Sequence, residues 1–154
     1  AHASLVNNGS IRRELPAGPI TYGMLYELQP FQNELVTVEV TGADLRVALE
    51  NSLGVDGGAN AHISGMTVSF DPAAPAGSRT REIRLTDGRV VGATDRITLG
   101  VSEFLASGGD RYASLRNGVR RGTGIVDLDA LIQYLQSLPQ PVQAPTTGRW
   151  AAIR

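Results

Sequence analysis

Apolar residues recur along this chain with two distinct periods. Over residues 35–40 they alternate, with Val36, Val38 and Val40 facing one way and Thr37 and Glu39 the other, the pattern of a half-buried strand. Directly afterwards Leu45, Ala48, Leu49 and Leu53 return at spacings of three and four. That spacing puts them on one face of a helix capped by Thr41 and stopped at Gly54. The same reading predicts a short buried strand over residues 3–6 that ends at an Asn-Gly turn, and a short helix capped by Thr21 with Met24, Leu25 and Leu28 on one side.

Residues 54–64, rich in Gly, Ala and Asn, read as a loop, and 66–70 as an alternating strand that Asp71-Pro72 ends. Residues 72–78 form a second loop. Strands over 82–85 and 89–91 flank Thr86-Asp87-Gly88, whose Asp-Gly dipeptide signals a hairpin. A strand over 96–101 leads into Phe104. Leu128, Leu131, Ile132 and Leu135 fall on one face of a last helix that Asp127 and Asp129 help to start and Pro139 terminates, and 150–153 can form a final strand. Hairpins and helices that do not strictly alternate argue for the α+β class: one compact domain over 1–154 with a mixed sheet, hairpins and about three helices.

Composition narrows the function. The 154 residues fit one domain with one core, and no apolar run approaches the roughly 20 residues that cross a bilayer. A formal charge of −1 offers no basic footprint for a nucleic-acid polymer, whose binding rests on many phosphate contacts, so a small ligand is the better expectation. All 14 basic residues are Arg, which reads as codon usage in a GC-rich genome before it reads as anion recognition. With no Cys there is no disulfide, no thiolate nucleophile and no Cys-based zinc site.

Two of the three phenylalanines stand in polar frames: Phe31 in Pro30-Phe31-Gln32-Asn33, and Phe104 in Phe104-Leu105-Ala106-Ser107-Gly108-Gly109-Asp110. Turn-forming residues follow each ring at once, which puts both at loop mouths. Two such rings can sandwich a flat heteroaromatic base, while the Asp110 carboxylate can accept bonds from sugar hydroxyls. The alternative for Asp110 is a turn residue, and for Phe104 a plug at the end of its strand. Phe70, in an alternating strand, reads as core.

Asn7-Asn8-Gly9-Ser10-Ile11-Arg12, Gly18-Pro19-Ile20-Thr21-Tyr22-Gly23, Pro30-Phe31-Gln32-Asn33 and residues 104–110 resemble, in order and spacing, the C-terminal domain of the 5′-nucleotidase and UDP-sugar hydrolase family. The resemblance implies a substrate-specificity domain that holds base and ribose. A separate N-terminal domain carrying two divalent metal ions would position a water for attack on phosphorus. This implies a nucleotide or nucleoside as partner, a signal sequence and metallophosphoesterase domain ahead of this region in the parent chain, and a periplasmic, cell-surface or secreted location. By resemblance the substrate-binding residues are Asn7, Gly9, Ser10, Arg12, Phe31, Asn33, Phe104, Gly109 and Asp110. Phe31 and Phe104 would stack the base, Asp110 would hold the ribose, and Asn7 and Arg12 would line the base and phosphate side. Asn8 and Ser10 replace two of the three glycines in the family's pattern, which raises the cost of any positive φ there, less for Asn than for Ser. Gln32 replaces a common glycine beside Phe31, which narrows the cleft and bears on base preference. A further phosphate-binding basic residue lying upstream in the family has no counterpart here.

His2 and His62 lack neighbouring ligands, so the chain by itself builds no dimetal centre, and no cofactor or catalytic residue is expected in this domain. Ser64 and His62 lack a Gly-x-Ser-x-Gly elbow, and without Lys there is no phosphate-binding Gly-x-x-x-x-Gly-Lys loop. Three functions stay open: the binding half of a nucleotide hydrolase, a stand-alone nucleoside-binding module, or a structural or dimerising domain.

Overall fold

The computed structural model describes residues 1–54, 58–145 and 148–153. A five-stranded sheet runs in the order β3-β1-β6-β2-β7, from β1 (Ala3–Asn7), β2 (Glu34–Thr41), β3 (Ala61–Ser64), β6 (Arg96–Ser102) and β7 (Val119–Val126). A three-stranded sheet, β5-β4-β8, is built from β4 (Met66–Phe70), β5 (Thr80–Leu85) and β8 (Trp150–Ala152). Among the described residues only β1/β6 and β4/β8 pair in parallel. The helices are α1 (Tyr22–Leu28), α2 (Gly42–Asn51), a single turn α3 (Glu103–Ala106) and α4 (Asp127–Ser137). The expected α+β architecture is present.

The core lies between the sheets. Leu5, Val36, Val38, Val40, Ile63, Ile97, Leu99 and Val101 project from the larger sheet, and Met66, Val68, Ile83 and Leu85 from the smaller. Leu45, Ala48 and Leu49 enter as the apolar stripe of α2. Thr41 caps that helix as expected, its hydroxyl oxygen accepting from the Asp44 N–H at 3.1 Å. Phe70 is core, edge-on to Trp150 at 6.2 Å between ring centres.

The structure corrects several expectations. The 54–64 stretch is not one loop: Ala61 and Ile63 turn inward from β3, paired with β1, while residues 55–57 of that expected loop lie outside the described residues. His62 therefore sits on an ordered strand opposite Val6. β7 had no sequence signal: its side chains are almost all exposed, as befits an edge strand. Leu53 lies past the end of α2, in an isolated bridge to Ala59. The expected hairpin turn forms at residues 85–88, Gly88 N–H to the Leu85 carbonyl at 2.9 Å. Residues 89–91 pair back on β5 through the Leu85 N–H on the Arg89 carbonyl and the Val91 N–H on the Ile83 carbonyl, both 2.9 Å, a bridge at Arg84–Val90 too short to count as a strand. Among the described residues no helix is long and apolar enough to cross a membrane.

Topology gathers three loops at one end of the large sheet. β1 and β6 are parallel neighbours, so the turn after Asn7 and the segment after Ser102 leave the sheet at the same edge. β2 runs antiparallel to β6, which brings the residues just before Glu34 to that edge too. α2 starts at the far end and climbs back about 15 Å over its 10 residues, delivering Asn51 there.

Candidate functional site

Those loops bring most of the candidate residues into one continuous run of contacts. Asn7 closes β1 with its side chain buried, and its Nδ2 donates to Asp110 Oδ2. The next residues, Asn8–Ser10, form a 3-10 turn held by the Asn8 N–H on the Asn60 carbonyl at 3.1 Å. Gly9 packs so closely in that turn that a Cβ there would sit 3.1 Å from Asn7 Nδ2 and 3.3 Å from Asp110 Oδ2. Its carbonyl accepts from Arg12 Nη1 at 3.3 Å, and the Arg12 guanidinium lies 6.0 Å from the centre of the Phe31 ring. The run is thus Phe31, Arg12, Gly9, Asn7 and Asp110.

Phe104 joins it from the other side. A Cβ on Gly109 would lie 2.5–2.6 Å from three atoms of the Phe104 ring, so the ring rests on the bare backbone of Gly109 next to Asp110. Phe31 is 53% and Phe104 44% exposed, so a face of each ring is open to solvent. A cleft of about 430 Å³ opens at Asp110, lined by Asn7, Gly9, Asn51, Asn60 and Tyr112, and the two rings stand outside its lining. Its walls are chiefly carboxamides and backbone. Tyr112 sits behind, its hydroxyl bonded to Ser52 Oγ at 2.9 Å, and burial pushes the phenol above its usual range.

The backbone here is unusual. Gly108, Asp110 and Arg111 take φ of 86°, 49° and 67°, a left-handed run in which two members are not glycine. The positive φ in the Phe31 loop falls on Gln32, at 53°, whereas Asn8 and Ser10 need none. Asn51 Nδ2 donates to the Asp110 carbonyl at 2.9 Å, a tie with no signal in the sequence.

Two of the expected residues have other occupations. Ser10 is only 8% exposed and its hydroxyl turns inward to donate to Asn7 Oδ1 at 2.5 Å. Asn33 faces α4: its carbonyl accepts from the Asp127 N–H at 2.9 Å, and its side chain donates to the Asp127 carboxylate. Burial pushes the carboxyl of Asp127 above the usual carboxylate range despite those bonds and one from the Leu128 N–H. A second groove of about 550 Å³ runs over the sheet face opposite the core, past Val6, Thr37, His62 and Ser102 to Leu131 and Tyr134 of α4. Among the described residues no three His, Asp, Glu or Cys gather to hold a metal ion. His2 Nδ1 accepts from the Thr98 N–H at 2.9 Å, a structural use that fits no metal centre.

A family model described as 5′-nucleotidase, C-terminal domain, matches residues 1–117. The chain is 33% identical over 148 residues to "Endonuclease YhcR" of Bacillus subtilis (strain 168), covering 95% of this chain and 12% of that protein. It is 32% identical over 145 residues to "Probable 5'-nucleotidase" of Treponema pallidum (strain Nichols), covering 85% and 24%. The crystal structure of a 5′-nucleotidase precursor from Thermus thermophilus superposes with a TM-score of 0.89 at 33% identity, over 99% of this chain and 31% of that one. The chain therefore spans less than a third of the length of these relatives. Its fold, its loop segments and these matches agree: the chain belongs to the 5′-nucleotidase C-terminal domain family.

Proposed function

We propose that this domain is the substrate-binding half of a 5′-nucleotidase-type hydrolase, holding the base and ribose of a nucleotide for a separate metal domain of the same parent chain. The observation that carries the reading is the contact run that joins Phe31 and Arg12 to Phe104 through Asn7, Gly9, Gly109 and Asp110. Exposed aromatic faces suit a purine or pyrimidine, a carboxylate suits vicinal hydroxyls, and a guanidinium beside the ring suits phosphate. The two divalent metal ions implied by the family find no ligand set among the described residues, so no step in this chain runs through them. The reading assigns them to an N-terminal metallophosphoesterase domain of the parent chain. With it goes a periplasmic, cell-surface or secreted location.

Titration of this chain followed by NMR tests the proposal. Two stacking contacts of about 1–3 kcal/mol each, offset by the entropy of holding the ligand, lead to an affinity on the order of 0.1 mM to millimolar for adenosine or AMP. The chain alone hydrolyses no AMP with added Mn²⁺ or Zn²⁺. Arg12→Ala weakens AMP and spares adenosine, and Asp110→Asn weakens adenosine more than 2′,3′-dideoxyadenosine. Chemical-shift changes that bypass residues 7–12, 31 and 104–110 would refute it.

A further inference from the structure

Ser10, through Asn7, and Asn51, directly, both reach Asp110. A carboxylate only accepts, so the Asn7 amide must present its NH₂ to Asp110 Oδ2 and its oxygen to the other side. On that other side is the hydroxyl of Ser10, buried and donating to Asn7 Oδ1. The donor direction is thereby fixed along the whole relay from Ser10 to Asn7 to Asp110, and removing the hydroxyl releases the amide to rotate or flip. Asn51 acts on the backbone instead. Its Nδ2 takes the Asp110 carbonyl at 2.9 Å, where the chain is in the left-handed region at φ 49°, ψ 33°. Among the described residues no donor reaches Asp110 Oδ1, and the residue is exposed.

We propose that Ser10 and Asn51 are positioning residues. Asn51 holds the left-handed turn and Ser10, through Asn7, holds one carboxylate oxygen, so that Oδ1 of Asp110 is presented in one orientation to the vicinal hydroxyls of a ligand. The inference rests on the ribose-binding role proposed above for Asp110.

The test pairs adenosine with 2′,3′-dideoxyadenosine. Ser10→Ala and Asn51→Ala each lower adenosine affinity about three- to tenfold, the span of one hydrogen bond, and leave the dideoxy analogue within about twofold of wild type. Ser10→Thr, which keeps the hydroxyl, restores the ratio. In an Asp110→Asn background Ser10→Ala has no further effect. Equal weakening of both nucleosides, no weakening of either, or an effect of Ser10→Ala that persists without the Asp110 carboxylate overturns the proposal. The side-chain NH₂ signals of Asn7 in the unliganded protein give a second readout: they move in Ser10→Ala and Asp110→Asn and return in Ser10→Thr. If wild type binds neither nucleoside, the binding function fails while the relay is judged on these signals alone, unmoved signals in Ser10→Ala overturning it and moved ones supporting it.

Discussion

Gly109→Ala adds one methyl group at a place where the structure leaves no room for it. The new Cβ would lie 2.5, 2.6 and 2.6 Å from three atoms of the Phe104 ring, against an ordinary contact of 3.4 Å or more. Either the Gly109 backbone or the ring must move by about 1 Å. The ring yields more readily, because Phe104 is nearly half exposed and the turn that carries Gly109 is tied down by Asn51 on the Asp110 carbonyl. Stability should therefore drop by no more than about 1 kcal/mol, or about 2–4 °C in the melting midpoint for a chain of this size. Binding should suffer far more. Losing one stacking contact of about 1–3 kcal/mol corresponds to roughly a 5- to 150-fold weaker adenosine affinity. A double-mutant cycle isolates the cause: in a Phe104→Ala background, Gly109→Ala should cost almost nothing further. Calorimetric melting and NMR titration of the four proteins supply the data. Undiminished adenosine affinity in Gly109→Ala, or a loss that adds fully to that of Phe104→Ala, would refute the reasoning.

Two further expectations concern the scaffold. Burial raises the carboxyl of Glu50, but N–H donors at Thr80, Arg79 and Gly77 outweigh it and leave the group below its ordinary 4.5, so its contribution is present above that value and lost as pH falls through the lower folded one. Stability curves of wild type and Glu50→Gln should accordingly be separated at pH 6–7 and converge in acid, and a constant gap down to about pH 2 would contradict this. Gly42→Ala would place a Cβ 2.0 Å from the Gly92 carbonyl oxygen, a backbone atom that cannot swing aside, and should cost about 3 kcal/mol or more, lowering the melting midpoint by roughly 6–12 °C. A melting curve superimposable on wild type would show that this contact is slack.

What could be read in the sequence follows the strength of local patterning. β2 and α2 were legible because their apolar faces are long and regular, and Thr41 marks the boundary between the two periods. β7 was not, because an edge strand with Arg120, Arg121, Gly122 and Gly124 buries neither face and so carries no period. β3 turns only Ala61 and Ile63 inward, too few to show within a stretch of Gly, Ala and Asn. In the site, Phe31, Phe104 and Asp110 stood out by their polar frames, while the inward turn of Ser10, the Asn51 tie and the attachment of Asn33 to Asp127 depend on long-range packing. The glycine replacements misplaced the strain: Asn8 and Ser10 take no positive φ, and the left-handed turn falls on Gln32, where the sequence reading concerned only the width of the cleft.

The central claim is that a base lies against the rings of Phe31 and Phe104 while its sugar meets Asp110. Intermolecular NOEs in a saturated sample of this chain with adenosine measure it most directly. The account predicts contacts from adenine H2 and H8 to the ring protons of both phenylalanines, and from ribose H2′ and H3′ to the backbone protons of residues 109–111. Contacts to the sheet groove near Val6, Leu131 and Tyr134 in place of the two rings would contradict it.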